Sequence, residues 1–220
     1  MYNDRARKYR VDDSYFEQID SERKAYWLGF ITADGCIYEQ KNTLRFAIAI
    51  SAKDRELLDK MNIDFSSTYS VVDTFAKARG KKHPQVRLAI NSKPFCQNLM
   101  AAGISIRKSL EMTKVNITEN LLPHYIRGFF DGDGSIKKNG TKVTGVIFTG
   151  GYEFLMWIKQ NLSSGCEIRW TEKCLMQNAK SLKCYHLGMY GQDNLNKLSH
   201  YFYDNASVYL SRKAEQIFKM

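Results

Sequence analysis

The sequence lacks the features of membrane and secreted proteins. No apolar stretch approaches the roughly 20 residues that a membrane-spanning helix needs. The opening residues, MYNDRARKYRVDD, lead into more polar sequence rather than into the apolar segment of a signal peptide. We therefore expect no membrane partner and no secretion, and an intracellular location in the cytoplasm, the nucleoid or an organelle matrix.

Paired cysteines are also missing. The five cysteines are odd in number and form no C-x-x-C pair. A zinc site would have to use Cys166, Cys174, Cys184 and His186, whose spacing matches no standard zinc pattern. Free thiols in a reducing compartment are the simpler interpretation.

Acidic residues are scarce relative to basic ones. Lys and Arg number 33 against 23 Asp and Glu, which gives a formal charge of +10. This balance favours a polyanionic partner. With 220 residues, 44% of them hydrophobic, the chain can bury a substantial core, as one large domain or as two small units that share an interface.

What the sequence does contain is an internal repeat. YWLGFITADGCI at residues 26–37 and YIRGFFDGDGSI at residues 125–136 align with an offset of 99 residues. After each motif the hydrophobic pattern runs in the same order: two strands, a helix, two strands and a closing helix. We predict an α+β fold with an N-terminal arm at residues 1–24, a first unit at 25–115 and a second unit at 116–220. The arm is interpreted as a DNA-contacting segment, the stub of an upstream module or a poorly ordered terminus.

Each motif carries small residues four positions apart on one helix face. Glycine inside a helix costs about 1 kcal/mol relative to alanine, so close approach of two helix backbones is a reason for it to appear in both copies. Packing along these faces would bring two aspartates on the final turns side by side, and a following glycine would end each helix in a left-handed conformation. The interface residues are Gly29, Ala33, Gly128 and Gly132; the aspartates are Asp34 and Asp133; the final glycines are Gly35 and Gly134.

The predicted placement is unfavourable for two carboxylates. A helix C-terminus carries about half a negative charge, and the second aspartate adds repulsion. A divalent cation with oxygen ligands, typically Mg²⁺, would relieve both effects, and in a basic protein this suggests hydrolysis of a phosphodiester. One such motif alone could be a capped turn. A calcium loop at residues 131–142 is excluded because its sixth and twelfth positions are Ile136 and Lys142.

LGFITADG and RGFFDGDG resemble the paired signature of the LAGLIDADG homing endonucleases, in the single-chain form with two motifs. The resemblance covers the chain from about residue 25 onward. It implies two pseudo-symmetric αββαββ units, packed through the motif helices, with antiparallel sheets that form a saddle over DNA. It also implies metal binding by Asp34 and Asp133 near the backbone carbonyls of Gly35 and Gly134. The basic residues near the reacting phosphate would be Lys108 and Lys213.

The sequence departs from the family pattern at several positions. Asp131 neighbours the second metal-binding acid, but the matching residue in the first motif is Thr32, so Asp131 is not assigned to the metal. The glutamine that some members carry late in the second strand is missing. The nearest positions hold Ile50, Ser51, Phe148 and Thr149. The catalytic ends of an intein are absent, which suggests a free-standing or intron-encoded enzyme.

Polar and basic residues in the strand regions are the candidates for DNA contact. Arg and Lys can recognise guanine and Gln can recognise adenine, whereas lysines in turns more often neutralise phosphates. The candidates are Tyr38, Gln40, Lys41, Arg45, Lys77, Arg79, Lys81, Lys82, Gln85, Arg87, Lys137, Lys138, Lys142, Arg169, Lys173, Gln177, Lys180 and Lys183.

The sequence therefore predicts a monomeric, Mg²⁺-dependent endonuclease that cuts both strands of a long, loosely palindromic DNA target. Cutting across the minor groove to leave short 3′ overhangs is implied by the resemblance. Ca²⁺ is expected to support binding without cleavage. The alternatives are a maturase that binds intron RNA and a DNA-binding regulator without cleavage activity.

Overall fold

The structure, a computed structural model, describes residues 8–78, 80–106, 115, 117–179 and 181–218. Within these residues the helices are α1 (Glu22–Asp34), α2 (Arg55–Asp64), α3 (Lys93–Ala101), α4 (Leu122–Asp133), α5 (Tyr152–Cys166), α6 (Gln192–Tyr203) and α7 (Ser211–Phe218). The strands are β1 (Gly35–Gln40), β2 (Thr43–Ser51), β3 (Val72–Ala78), β4 (Lys81–Ile90), β5 (Ser135–Asn139), β6 (Lys142–Gly150), β7 (Leu175–Asn178) and β8 (Ser181–Tyr190).

The strands form two four-stranded antiparallel sheets with the same topology. The strand order is β1-β2-β4-β3 in the first sheet and β5-β6-β8-β7 in the second. Each sheet follows a motif helix, α1 or α4, and both units contribute to one continuous hydrophobic core. The predicted α+β fold with two αββαββ units is confirmed, and α7 follows the closing helix of the second unit.

The motif helix α1 is surrounded by protein along most of its length, as its apolar residues require. Its residues 25–32 are all buried, which is typical of a helix enclosed by protein rather than of a surface helix. The Ser21 hydroxyl caps its first turn by accepting a hydrogen bond from the backbone N–H of Lys24. The helix α4 begins with Pro123 in its first turn, where a missing N–H costs nothing.

The hydrophobic pattern of residues 166–177, CEIRWTEKCLMQ, also predicts a strand, and this element is predicted least accurately. The structure has only the short strand Leu175–Asn178 there. The Asn194 side chain of α6 holds the preceding segment by accepting a hydrogen bond from the N–H of Arg169 and donating one to its carbonyl. The backbone polar groups of Arg169 are thus satisfied by a helix side chain rather than by a neighbouring strand.

Two polar connections tie the units together around the motif helices. The Arg127 guanidinium of α4 is fully buried and donates to Glu22 of α1 at 2.6 Å and to the carbonyls of Phe202 and Val208. On the other side, Arg212 of α7 donates from Nε to both carboxylate oxygens of Asp54, at 2.9 and 3.0 Å. Asp54 lies in a 3₁₀ turn of the first unit, so both pairs join one unit to the other.

The segment before α1 packs on the first unit. Tyr15 and Phe16 are buried in the core, and Asn98 of α3 donates to the carbonyl of Asp13 at 2.8 Å. In the part of the chain that the structure describes, no helix is both long enough and apolar enough to span a bilayer.

Candidate active site and nucleic-acid interface

The two motif helices touch through backbone atoms at their glycines. A methyl group built on Gly29 would lie 2.0 Å from the carbonyl oxygen of Tyr125, and one on Gly128 would lie 2.1 Å from that of Tyr26. One built on Gly132 would lie 2.2 Å from the Cβ of Ala33. Real Cβ atoms do not approach other atoms this closely, so α1 and α4 can pack at this distance only with glycine at these positions.

This contact carries the ends of both helices to one place. The same Cβ built on Gly132 would lie 3.1 Å from a carboxylate oxygen of Asp34, so the Asp34 side chain reaches across to the last turn of α4. Asp133 is the next residue and ends that helix. Asp34 is exposed and Asp133 is half-buried, so neither residue is enclosed by the protein.

The glycines after the aspartates are needed for space rather than for a left-handed backbone. Gly35 has φ −73° and Gly134 has φ −78°, both extended, so the predicted left-handed caps are wrong. A Cβ on Gly35 would lie 2.7 Å from the Ile31 side chain, and one on Gly134 would lie 2.2 Å from that of Phe130. The chain turns directly from helix into strand at these positions, and the preceding turn fills the space.

A cross-helix hydrogen bond occurs twice, once in each direction. The Tyr26 hydroxyl of α1 donates to Asp131 of α4 at 2.8 Å, and the Tyr125 hydroxyl of α4 donates to Thr32 of α1 at 3.0 Å. Asp131 also accepts from the N–H of Leu210 at 2.7 Å, while its Oδ1 is buried with no hydrogen-bond partner among the described residues. Burial raises the pKa of Asp131 to about 6.

Lys213 is buried, and it caps α4. Its ammonium group donates to the carbonyls of Phe130, Asp131 and Gly134 at 2.6, 2.8 and 2.6 Å, which uses all three N–H donors. These carbonyls lie at the C-terminal end of the helix, where a cation is stabilising. Burial lowers the pKa of Lys213 to about 8, opposed by the charges of Asp131, Asp34 and Asp133.

Asp34 lines a cleft of about 230 Å³ that both units form. Ser51 at the end of β2 and Gln85, opposite it on β4, contribute from the first unit. Arg212 contributes from the second unit, held by its bond to Asp54. The sequence singled out Gln85 only as a base-reading residue and did not identify Asp54 or Arg212. Residues 212–213 form an Arg-Lys pair in the sequence, and the family resemblance pointed to its lysine rather than to its arginine.

The donor set at the helix ends fits a hard divalent cation such as Mg²⁺. It consists of the carboxylates of the exposed Asp34 and the half-buried Asp133, and Mg²⁺ commonly takes one or two carboxylates and completes its shell with phosphate oxygens and water. The described residues include no cluster of three or more His, Cys, Asp or Glu side chains that could hold a metal. The Gly134 carbonyl already accepts a hydrogen bond from Lys213, so the two carboxylates are the stronger candidates as ligands.

The first sheet presents a polar face on the side away from its helices. Directly opposed residues of antiparallel strands share a face, and the pairings Tyr38–Arg45, Ala49–Arg87 and Ser51–Gln85 define this one. Arg87 donates to the Tyr38 hydroxyl at 3.1 Å. Gln40 and Lys81 lie on the same face by alternation, and Lys41 is in the β1–β2 turn. We call this surface the outward face of the first sheet.

Two candidates of the first unit lie on the opposite face. Lys77 and Lys82 oppose each other, and they share a face with Phe75, which the Lys82 ammonium covers at 5.9 Å from the ring centroid. This face is the one that carries the buried Val86 and Leu88 in the same strand. The alternation of strand side chains therefore separates these two lysines from Gln85 and Arg87.

The outward face of the second sheet has fewer charges. Lys137 opposes Gly145, and Thr149 opposes His186, whose ring nitrogens contact Thr149 and Asn178, each at 3.1 Å. Tyr190 covers the backbone of Gly145 and Gly188, where a Cβ would meet its ring at 2.5 and 2.8 Å.

The remaining predicted DNA contacts of the second unit divide into two groups. Lys142 is at the start of β6 and exposed. The others lie elsewhere: Lys138 opposes the buried Val143, Gln177 and Lys183 share the face of Tyr185 and Leu187, and Arg169 and Lys173 precede β7. Lys108, Arg79 and Lys180 fall outside the described residues.

Comparison with known proteins agrees with this geometry. Residues 21–93 match the sequence model of the LAGLIDADG-like domain family. These residues are similar to that family, and they include the first motif and the first sheet. The LAGLIDADG resemblance stated from the two motifs is thereby confirmed. A search of curated protein sequences found no match.

Solved structures extend the LAGLIDADG fold to the whole chain. The homing endonuclease I-WcaI bound to its DNA recognition sequence is 15% identical, with a TM-score of 0.57, over 91% of this chain and 90% of its own. The LAGLIDADG meganuclease I-AabMI bound to uncleaved DNA is 16% identical, with a TM-score of 0.53, over 88% and 87%.

The same fold also occurs in a protein of a different name. Full-length DUF199/WhiA from Thermatoga maritima is 16% identical, with a TM-score of 0.56. The match covers 94% of this chain but only 64% of the DUF199/WhiA chain. At these identities the similarity establishes the LAGLIDADG fold, and activity has to be argued from the site.

Proposed function

We propose that the protein is a Mg²⁺-dependent, site-specific endonuclease that hydrolyses both strands of a DNA duplex across the minor groove and leaves short 3′ overhangs. The observation that carries the proposal is the glycine-mediated contact of α1 and α4, which places the Asp34 carboxylate against the last turn before Asp133. The homing endonuclease and the meganuclease with this fold were solved on DNA, which supports duplex DNA as the partner.

The chain's own groups would each have a defined task. Asp34 and Asp133 would hold the metal, which when bound supplies charge neutralisation and an acidic water. The charge of Lys213 stabilises the end of α4 and so fixes Asp133, because its three donors are bonded to that helix. We assign it a positioning role in place of direct contact with the phosphate.

Arg212 is better placed than Lys213 to contact a phosphate in the cleft that Asp34 lines. Its side chain is about half exposed, and its hydrogen bonds to Asp54 use only Nε. The two remaining guanidinium nitrogens can present a fork of donors to phosphate oxygens. Asp54 is buried beneath it and holds it in position.

Substitution of the two aspartates tests the proposal. Asp34→Asn or Asp133→Asn is expected to abolish double-strand cleavage in Mg²⁺ and to leave DNA binding in Ca²⁺ within a few-fold of wild type. Asp59→Asn, on the exposed side of α2, is the matched control and should cut normally. Normal double-strand cleavage by either active-site variant would refute the assignment.

A regulator or maturase without DNA cleavage is the second candidate. The DUF199/WhiA match favours it, since that chain is named without reference to a nuclease. The fold and the outward face of the first sheet would suffice for such a protein, whereas the paired aspartates would have no task. Specific DNA binding by wild type without cleavage in Mg²⁺ would favour the regulator, and preference for structured intron RNA would favour the maturase.

A further inference from the structure

The segment just before the first unit reaches the side of the first sheet. Arg10 and Thr68 exchange two hydrogen bonds, from the Arg10 N–H to the Thr68 hydroxyl at 2.8 Å and from the Thr68 N–H to the Arg10 carbonyl at 3.0 Å. The rings of Tyr9 and Tyr69 lie 5.1 Å apart, inclined by 32°. These contacts fix the position of Lys8 and Tyr9 relative to the sheet.

A cavity of about 450 Å³ lies between this segment and the sheet. It is lined by Lys8, Tyr9, Arg45, Tyr69, Ala89 and Asn91. Arg45 and Ala89 belong to the outward face of the first sheet, because Arg45 opposes Tyr38, and Ala89 opposes Ala47 on β2, two residues along from Arg45. The cavity therefore borders the surface proposed to face DNA.

The lining of the cavity matches an anion attached to an organic group. Its lining, as far as the structure describes the chain, contains two cationic side chains and no acid, which disfavours a metal ion or a basic ligand. The Nε of Arg45 is buried without a hydrogen-bond partner in the described structure, and a buried donor in this state gains from an incoming acceptor. Tyr69 is held by its hydroxyl, which donates to the Asn91 carbonyl at 2.9 Å, so its ring is a fixed wall.

The position of the cavity relative to the active site can be read from β2. Arg45 and Ser51 are on the same face of this strand, and Ser51 lines the cleft with Asp34. Six residues of extended chain span about 20 Å at about 3.4 Å per residue. Successive nucleotides of one strand of B-DNA advance by about 3.4 Å along the helix axis. A length of about 20 Å laid along the duplex therefore corresponds to about six nucleotides.

We propose that this cavity binds a backbone phosphate of the DNA target, with its sugar against the tyrosines, about six nucleotides from the bond that is cut in the first half-site. The inference rests on the proposed DNA-binding function, and it extends the interface beyond the strands to the segment that precedes α1. It does not depend on catalysis, so it can be tested in Ca²⁺.

The test uses Lys8→Ala and Arg45→Met, with Lys159→Ala on α5 as the control. A target duplex is first selected from a randomised DNA library by binding to wild type in Ca²⁺. The affinity of each variant for this duplex in Ca²⁺ is then measured over a range of salt concentrations. Each cavity variant should weaken binding about three- to tenfold and lower the slope of log K against log salt by about one, as loss of one phosphate contact predicts. The control should change neither, and thermal unfolding checks that every variant is folded.

A second measurement locates the phosphate. Single uncharged methylphosphonate linkages are placed at successive positions of the target. Wild type should lose affinity at a linkage about six nucleotides from the cut, and Arg45→Met and Lys8→Ala should be insensitive to that same linkage. Unchanged affinity and salt slope in both variants, or equal sensitivity of wild type and variants at every linkage, would overturn the proposal.

The outcomes separate this inference from the endonuclease. Wild type that binds duplex DNA and fails to cut would refute the endonuclease and leave the phosphate test valid. Wild type that cuts, with variants that bind like wild type, would refute the cavity alone. Absence of any duplex binding would refute both.

Discussion

Replacing Gly128 by alanine should force the two motif helices apart. Its methyl group would stand 2.1 Å from the Tyr26 carbonyl oxygen and 2.9 Å from the backbone nitrogen of Phe30, whereas ordinary contacts begin near 3.4 Å. The obstructing atoms are backbone, so no side-chain rotation can relieve the clash. The helices would have to separate locally by roughly 1 Å, a distance at which close-packed contacts are already lost.

The expected loss of stability follows from two opposing effects. Overpacking of a core costs about 1–3 kcal/mol, and a backbone clash belongs at the upper end of this range. Alanine in place of glycine inside a helix returns about 1 kcal/mol. The free energy of unfolding should therefore fall by about 2 kcal/mol, which lowers Tm by roughly 4–8 °C for a chain of this size.

The assay is denaturant unfolding of Gly128→Ala beside Gly151→Ala. Gly151 precedes α5 with φ −72°, and a Cβ there meets nothing within 4 Å, so its variant should stay within about 0.5 kcal/mol of wild type. A midpoint for Gly128→Ala that is no lower than that of Gly151→Ala would refute the close-contact argument.

Three further predictions concern the surroundings of the site. The pKa of Asp131 is raised from 3.8 to about 6 in the folded state, so the protonated group stabilises the fold at low pH and this stabilisation is lost as pH rises through 6. The free energy of unfolding of Asp131→Asn should therefore rise relative to that of wild type by up to about 3 kcal/mol between pH 4 and pH 7 in unfolding titrations. A difference that does not depend on pH would contradict this. Lys213→Met removes three bonds to the end of α4 and should lower the free energy of unfolding by about 3 kcal/mol; thermal melts unchanged from wild type would show that the cap is dispensable. Arg212→Ala, and to a lesser degree Asp54→Asn, should slow cleavage of one DNA strand, so that nicked duplex accumulates. A duplex whose two strands carry different labels shows which strand is cut slowly. Equal slowing of both strands would count against a role confined to the cleft that Asp34 lines.

The fold was predictable because both motifs carry the small residues through which α1 and α4 make contact. The glycines of the two motifs have no role in an isolated helix, so their recurrence in the sequence indicates a helix-to-helix interface. The two copies also shared the same alternation and helical periodicity downstream, which fixed the order of strands and helices. The strand β7 was misplaced because Arg169, in the segment before it, bonds to Asn194 of α6, a contact that local patterning does not record.

The details of the site were less accessible to sequence analysis. The lysine of the Arg-Lys pair is buried against helix carbonyls, and the arginine lies in the cleft; which of two adjacent cations faces which way depends on how α7 docks. Asp54 offers no signal at all, since its importance comes from Arg212, which is 158 residues away in the chain. Gly35 and Gly134 were correctly recognised as necessary for the turn, but the reason is the side chain of the preceding turn, a packing effect rather than a preference of the backbone.

We propose that the paired aspartates make this protein a nuclease, and a selection of bound DNA followed by a cleavage assay tests this. Duplexes bound by the protein in Ca²⁺ are selected from a randomised DNA library, and the recovered pool is transferred to Mg²⁺ with wild type or with Asp133→Asn. Wild type alone should cut both strands of the selected duplexes, and the variant should bind them without double-strand cleavage. Specific binding with no cleavage by wild type in Mg²⁺ would contradict it.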